Sequence, residues 1–231
     1  MNKYELLQDD KIEVSGHILY RIKALKDFFG AKAGDLGGYI EGESNLSHEG
    51  TCWVYDNARV YGNARVCGDA YAYGNARVYG NARVFGEAYV YGNAYVYDNA
   101  YVYGDARVYG NARVCDNACV CGDACVCGDA RVCGDAYVYD NACVYGNARV
   151  CDNAKINKIS DVLCISPIGS RNDTTTFFKT KDNNICVKCG CFTGTIDNFL
   201  GAVEETHGEN KHAKAYRLAC ELAKIQIELE D

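Results

Sequence analysis

From position 58 to position 154 an alanine falls on every sixth residue, a register that holds for 17 successive alanines. The unit reads Ala-x-Val-x-(Gly/Asp)-(Asn/Asp/Glu), with Ala72 and Ile156 as the departures at the valine place. Alternation with period two is a strand signal, so Ala and Val share one face and the variable residues share the other. The next two residues, mostly Gly-Asn, Gly-Asp or Asp-Asn, tolerate left-handed backbone and turn the chain. A short strand and a corner every six residues predict a three-sided coil. Stacked coils then pair their backbones about 4.8 Å apart. The fold class expected is mainly β, a parallel β-helix with alanine and valine filling a narrow interior.

The ends break the rhythm. Residues 1–45 hold a predicted strand at 17–22 (HILYRI) followed by Gly-rich turns, a segment suited to capping the open end of a coil. After Ala154, Pro167 and Gly169 mark a boundary. "TTTFFKTK" and "NICVKCGCF" read as two strands joined by a turn at Asp182, Asn183 and Asn184. Thr195 reads as an N-cap and Gly208, after His207, as the helix stop. A second helix, roughly 212–230, places Tyr216, Ala219, Leu222, Ala223 and Gln226 near one face. The predicted domains are a cap (1–45), a β-helix (46–158) and a C-terminal α+β module of ββαα order (159–231).

Residues 18 apart are vertical neighbours in such a coil, so the variable places form columns. One face carries Arg59, Arg77, Tyr95, Arg113, Arg131 and Arg149, with Tyr61, Tyr79, Tyr97, Cys115, Cys133 and Cys151 beside them. The second face mixes Arg65, Arg83, Tyr101, Cys119, Tyr137 and Lys155. The third has Tyr71, Tyr89, Arg107, Cys125 and Cys143 next to Tyr73, Tyr91, Tyr109, Cys127 and Tyr145. The corner between the second and third faces is expected to stack Asp69, Glu87, Asp105, Asp123 and Asp140, opposite the arginine face. Stacked arginines repel unless something lies among them. Three readings follow. Arg planes rest on Tyr rings with Asp nearby; or Arg59, Arg77, Arg113, Arg131 and Arg149 grip phosphate oxygens while Tyr61, Tyr79, Tyr95 and Tyr97 stack a base; or the rings form a subunit contact.

Composition narrows the setting. The first ten residues are polar and no apolar run approaches the roughly 20 residues of a membrane span. A soluble, cytoplasmic protein without membrane partners is therefore expected, and its 15 cysteines read as reduced thiols. A net charge of −7 argues against coating long nucleic acid. The pairs Cys119/Cys121 and Cys125/Cys127 point both thiols outward without a nearby histidine, so they read first as small face residues and only weakly as metal ligands. Stacked parallel cysteines suit a disulfide poorly. Cys186, Cys189 and Cys191 with His207 are candidate zinc ligands, but without a second spaced pair strand packing is the simpler reading. No cofactor is expected.

The six-residue unit resembles the hexapeptide-repeat left-handed β-helix family. That resemblance implies a left-handed coil, against the usual right-handed crossover, and a homo-trimer with ligands held between adjacent prisms. More closely, "GDLGGYIEGESNLSHEGTCWVYDNARVYGNA" (34–64) is similar to the start of a bacterial and phage group described as hexapeptide transferases, over about the first two-thirds of the chain. "GCFTGTIDNFLGAVEETHGEN" resembles a C-terminal module found in phage and bacterial proteins of unknown function. The acyltransferases of the family use a histidine base beside a coenzyme A groove. Here the histidines are His17, His48, His207 and His212, none lies within the repeats, and no loop interrupts them. His48, near the first coil, is the weak catalytic candidate. The expected function is a non-catalytic binder of a small anionic, nucleotide-like ligand, a phage-type counter-defence protein that sequesters a nucleotide signal. A coenzyme-A-dependent acyltransferase and a self-associating scaffold are the alternatives.

Overall fold

A computed structural model describes residues 2–230. Two-residue strands, from Trp53–Val54 (β4) to Lys155–Ile156 (β21), wind into a parallel β-solenoid of three sheets. In the first sheet Arg59, Arg77, Tyr95, Arg113, Arg131 and Arg149 are register partners, one per coil. Ladder bonds run between coils: the Arg77 amide donates to the Ala94 carbonyl at 2.9 Å and the Tyr79 amide to that of Val96 at 3.0 Å.

The hexad works because each place has one physical task. The alanines and valines from Ala58 to Val150 are buried, and their small size suits a prism with no room for larger groups. The first corner residue is left-handed throughout: glycine in most corners, and Asp98, Asp116, Asp140 or Asp152 in the others, at φ of 54–59°. Glycine has no Cβ to clash there, and aspartate is among the few residues that tolerate it. The second corner residues bond upward: the side-chain amides of Asn63, Asn81, Asn99 and Asn117 each donate to the next coil, the last to the Asp135 carboxylate. The expected acidic column needs one correction. Register pairs Cys125 with Cys143, so Asn141, not Asp140, follows Asp123; Asp140 is the left-handed first corner residue one place earlier.

The N-terminal segment lengthens a sheet as well as covering an end. Strands Tyr4–Val14 (β1), His17–Ala24 (β2) and Leu36–Ile40 (β3) pair antiparallel, and Tyr39 then pairs in parallel with Arg59, giving a first sheet of nine strands. Tyr4, Phe28 and Trp53 plug the coil end, with Phe28 5.2 Å and Tyr4 6.1 Å from the Trp53 ring. Lys3 is fully buried there, its Nζ donating to the Cys52 carbonyl at 2.8 Å.

The other end carries a four-stranded antiparallel sheet, Val162–Ile168, Asp173–Lys179, Ile185–Cys189 and Phe192–Thr195 (β22–β25), and two helices, Ile196–His207 (α1) and Lys211–Gln226 (α2). Thr195 and Asn210 cap them, Thr195 accepting from the Asn198 amide. The order is thus ββββαα. Pro167, read as a boundary, sits in an edge strand, where a missing N–H is tolerated. Leu222 is also corrected: it is 47% exposed, on the outer side of α2 with Leu218 and Ile225, while Ala213 and Cys220 are buried.

Strand β23 joins the two units. Phe178 enters the solenoid core and its neighbour Phe177 the core of the small module, because successive strand residues point to opposite faces. The Lys181 amide donates to the Asn153 carbonyl at 2.9 Å and the Arg149 amide to Thr176 Oγ1 at 3.0 Å. No described helix is long and apolar enough to cross a membrane.

Candidate functional site

On the first face, the Arg77 and Arg113 guanidinium groups flank the Tyr95 ring at 5.2 and 5.4 Å. The column continues into the cap, where Arg21 lies 4.3 Å over Tyr39. Arg21 is also tied to Asp10 at 2.8 Å. Among the described residues Arg59, Arg77, Arg113, Arg131 and Arg149 make no ion pair with a carboxylate. Beside them Tyr61, Tyr79 and Tyr97 stack face to face at 5.1 and 5.0 Å. A flat base inserted between two rings needs about 7 Å, two van der Waals contacts. These rings therefore fill their own gaps. Burial raises the Tyr61 and Tyr79 phenols above their ordinary value, so both stay protonated. Tyr61 is covered by Leu19, Tyr39 and the His17 ring. Of the predicted ligand residues, the arginines and Tyr95 share one face as expected, and Tyr61 is shielded. Arg149 lies at the junction with the C-terminal sheet.

The second face carries a groove. Arg65 and Arg83, both exposed register partners, line a groove of about 530 Å³ with Ser44, Asn63, Phe85 and Tyr101. The Arg83 guanidinium is 5.8 Å from the Tyr101 ring, and Phe85 stacks on Tyr103 at 4.9 Å. The sequence reading gave these residues no role. Its available signal was an arginine pair 18 apart beside the one phenylalanine of the repeats. What it lacked was the groove wall, supplied by Ser44 of the cap.

The third face stacks Tyr73, Tyr91 and Tyr109 at 4.8 Å per step. Below them the Sγ atoms of Cys125, Cys127 and Cys143 lie within 4.8 Å of one another. Burial, then the neighbouring thiols, push Cys143 up to about 12. On the first face Cys115 and Cys133 form a similar group with Asp116.

His48 sits in the N-terminal plug. Its ring stacks on Tyr4 at 4.3 Å and its Nδ1 accepts from the Lys3 amide at 3.2 Å. The four candidate zinc ligands do not converge. Cys189, Cys191 and His207 line one pocket of about 220 Å³ together with Arg171, Asp173 and Tyr216. Cys186, three residues from Cys189 and so on the opposite strand face, packs toward the solenoid core. Cys189 Sγ is instead bonded to Thr175 Oγ1 at 3.2 Å and to the Tyr216 hydroxyl at 3.6 Å.

The family described as YdcK Beta solenoid repeat matches residues 54–71, 72–86, 76–92, 100–116 and 106–122. The repeat is similar to that family's. All five matches fall within the coils, and the first spans one full circuit of three strands. They speak to the repeat architecture and leave the two ends and any activity untouched. No curated protein matches the chain.

Proposed function

We propose that this protein is a non-catalytic binder that holds a small anionic, nucleotide-like ligand in the groove between Arg65, Arg83, Phe85 and Tyr101. The observation that carries the proposal is a pair of exposed guanidinium groups, in register on rigid paired strands and flanked by aromatic rings. Guanidinium forks match phosphate oxygens two at a time. Ring faces stack a base. The groove's volume falls in the range of small-ligand sites, and a site held by ladder bonds loses little freedom on binding. The arginine column of the first face, free of carboxylate partners, adds a positive field that steers an anion toward a chain of net charge −7.

Sequestration fits this arrangement better than turnover. No histidine lines the groove, and His48 is engaged with Lys3 and Tyr4, so an acyl transfer there lacks its base. We therefore assign a role of the phage counter-defence kind, capture of a nucleotide signal without chemistry. The setting we propose is the cytosol, where its free thiols stay reduced. Isothermal titration calorimetry against cyclic dinucleotides, mononucleotides and acyl-CoAs tests the reading. Nucleotide binding that Arg83→Glu weakens by at least about 30-fold is expected, the low end for losing a charge contact that the bound ligand covers. Full affinity in Arg83→Glu, or acetyl turnover with acyl-CoA, overturns it.

A further inference from the structure

The repeat spends cysteine on its outer faces in the later coils, and one cluster has the geometry of a site. Cys125 and Cys143 are register partners on adjacent coils, and Cys127 lies on the same face two residues along. Their three Sγ atoms lie within 4.8 Å of one another. Thiolates bound at about 2.3 Å around one trigonal ion stand about 4.0 Å apart. Small side-chain rotations close that gap. We infer that Cys125, Cys127 and Cys143 form a three-sulfur site for a thiophilic d10 cation, Cu(I) foremost.

The surroundings agree. Cys125 opens onto a surface cleft of about 240 Å³ lined by Tyr91, Tyr109, Arg107, Asp105 and Asp123, an entry path in which two carboxylates face one guanidinium. Tyr109 lines the same cleft as Cys125, an outer side chain beside the thiols. Soft sulfur ligands without imidazole select Cu(I), whereas zinc needs a fourth donor. On binding, thiol protons pass to the buffer as Cu–S bonds form, and the ion, supplied reduced, keeps its oxidation state. The cluster on the first face differs in that its Asp116 carboxylate is already committed to the Gly134 amide at 3.1 Å.

The test titrates the reduced full-length chain anaerobically with Cu(I) against a chromophoric Cu(I) chelator. Wild type should take one ion that Cys143→Ser loses and Cys191→Ser keeps. Cys143 is partly exposed beside the buried Val144, and Cys191 is exposed in the C-terminal module, so neither substitution enters a core. Alkylation of the wild type, mapped by mass spectrometry, needs no variant. Cu(I) should shield Cys125, Cys127 and Cys143 together while exposed Cys191 stays reactive. Equal uptake by wild type and Cys143→Ser, or no joint shielding, overturns the assignment.

Discussion

Single residues carry the repeat through backbone conformation as much as through packing. Gly104 has φ of 70°, and a Cβ there would stand 3.0 Å from the Gly122 amide nitrogen of the next coil. A β-branched side chain meets both obstacles at once. Gly104→Val is expected to cost about 1–3 kcal/mol in urea unfolding, whereas Gly104→Asn should cost less. The second substitution keeps to a residue type that tolerates the left-handed region, as Asp98 and Asp116 already do in this solenoid. Equal costs for the two would show that backbone handedness is not what selects the corner residue. At the same scale the inner places leave little freedom. Valine fits the prism, and the outer places vary because the side chains there meet stacked neighbours and solvent rather than a closed interior.

Elements as short as two residues are stable only through their neighbours above and below, so the ends of the stack matter most. Strand β1 closes one end through Tyr4, and β23 closes the other through Phe178. Phe178→Ala should lower stability by about 3–5 kcal/mol and raise hydrogen exchange first in the last coil, near Ala154. Loss confined to the small module would mean that Phe178 does not seal the solenoid. At this scale the sequence was legible where period was strong and opaque where it was weak. The hexads were read in register. Strand Tyr4–Val14 was missed because its run, YELLQDDKIEV, mixes charge into both faces and is bulged between Leu7 and Lys11. Strand Phe192–Thr195 was missed because FTGT carries no alternation at all. The candidate site split the same way. The arginine column was visible in the spacing, but the groove beside Arg65 and Arg83 needed a wall from a residue far away in the text.

The whole molecule is a capped column with differently charged sides and one apolar stripe. Leu218, Leu222 and Ile225 follow one another at spacings of four and three along the outer side of α2 and are exposed by 71, 47 and 79%. Such a seam suits pairing with the same seam of another copy. From this seam, and from what the resemblance of the repeat to the hexapeptide family implies, we propose that the protein forms a homo-trimer. Light scattering should give three chains per particle, and a Leu222→Glu, Ile225→Glu double variant should give one. A wild-type particle of one chain removes the assembly from the proposal. The groove and the Cys125 cluster lie on other surfaces, so the proposed nucleotide and copper binding can each be tested in that double variant.

The sequence by itself determined the coil. A period of six with glycine or aspartate at each corner leaves the backbone few alternatives, and local chemistry repeats the same instruction in every hexad. Only the tertiary structure decided what covers the two ends, which arginines border a hollow and which cysteines meet. Those outcomes depend on contacts between residues far apart in the chain, such as Ser44 with the Arg83 groove and Phe178 with the last coil, and no local pattern encodes such distances.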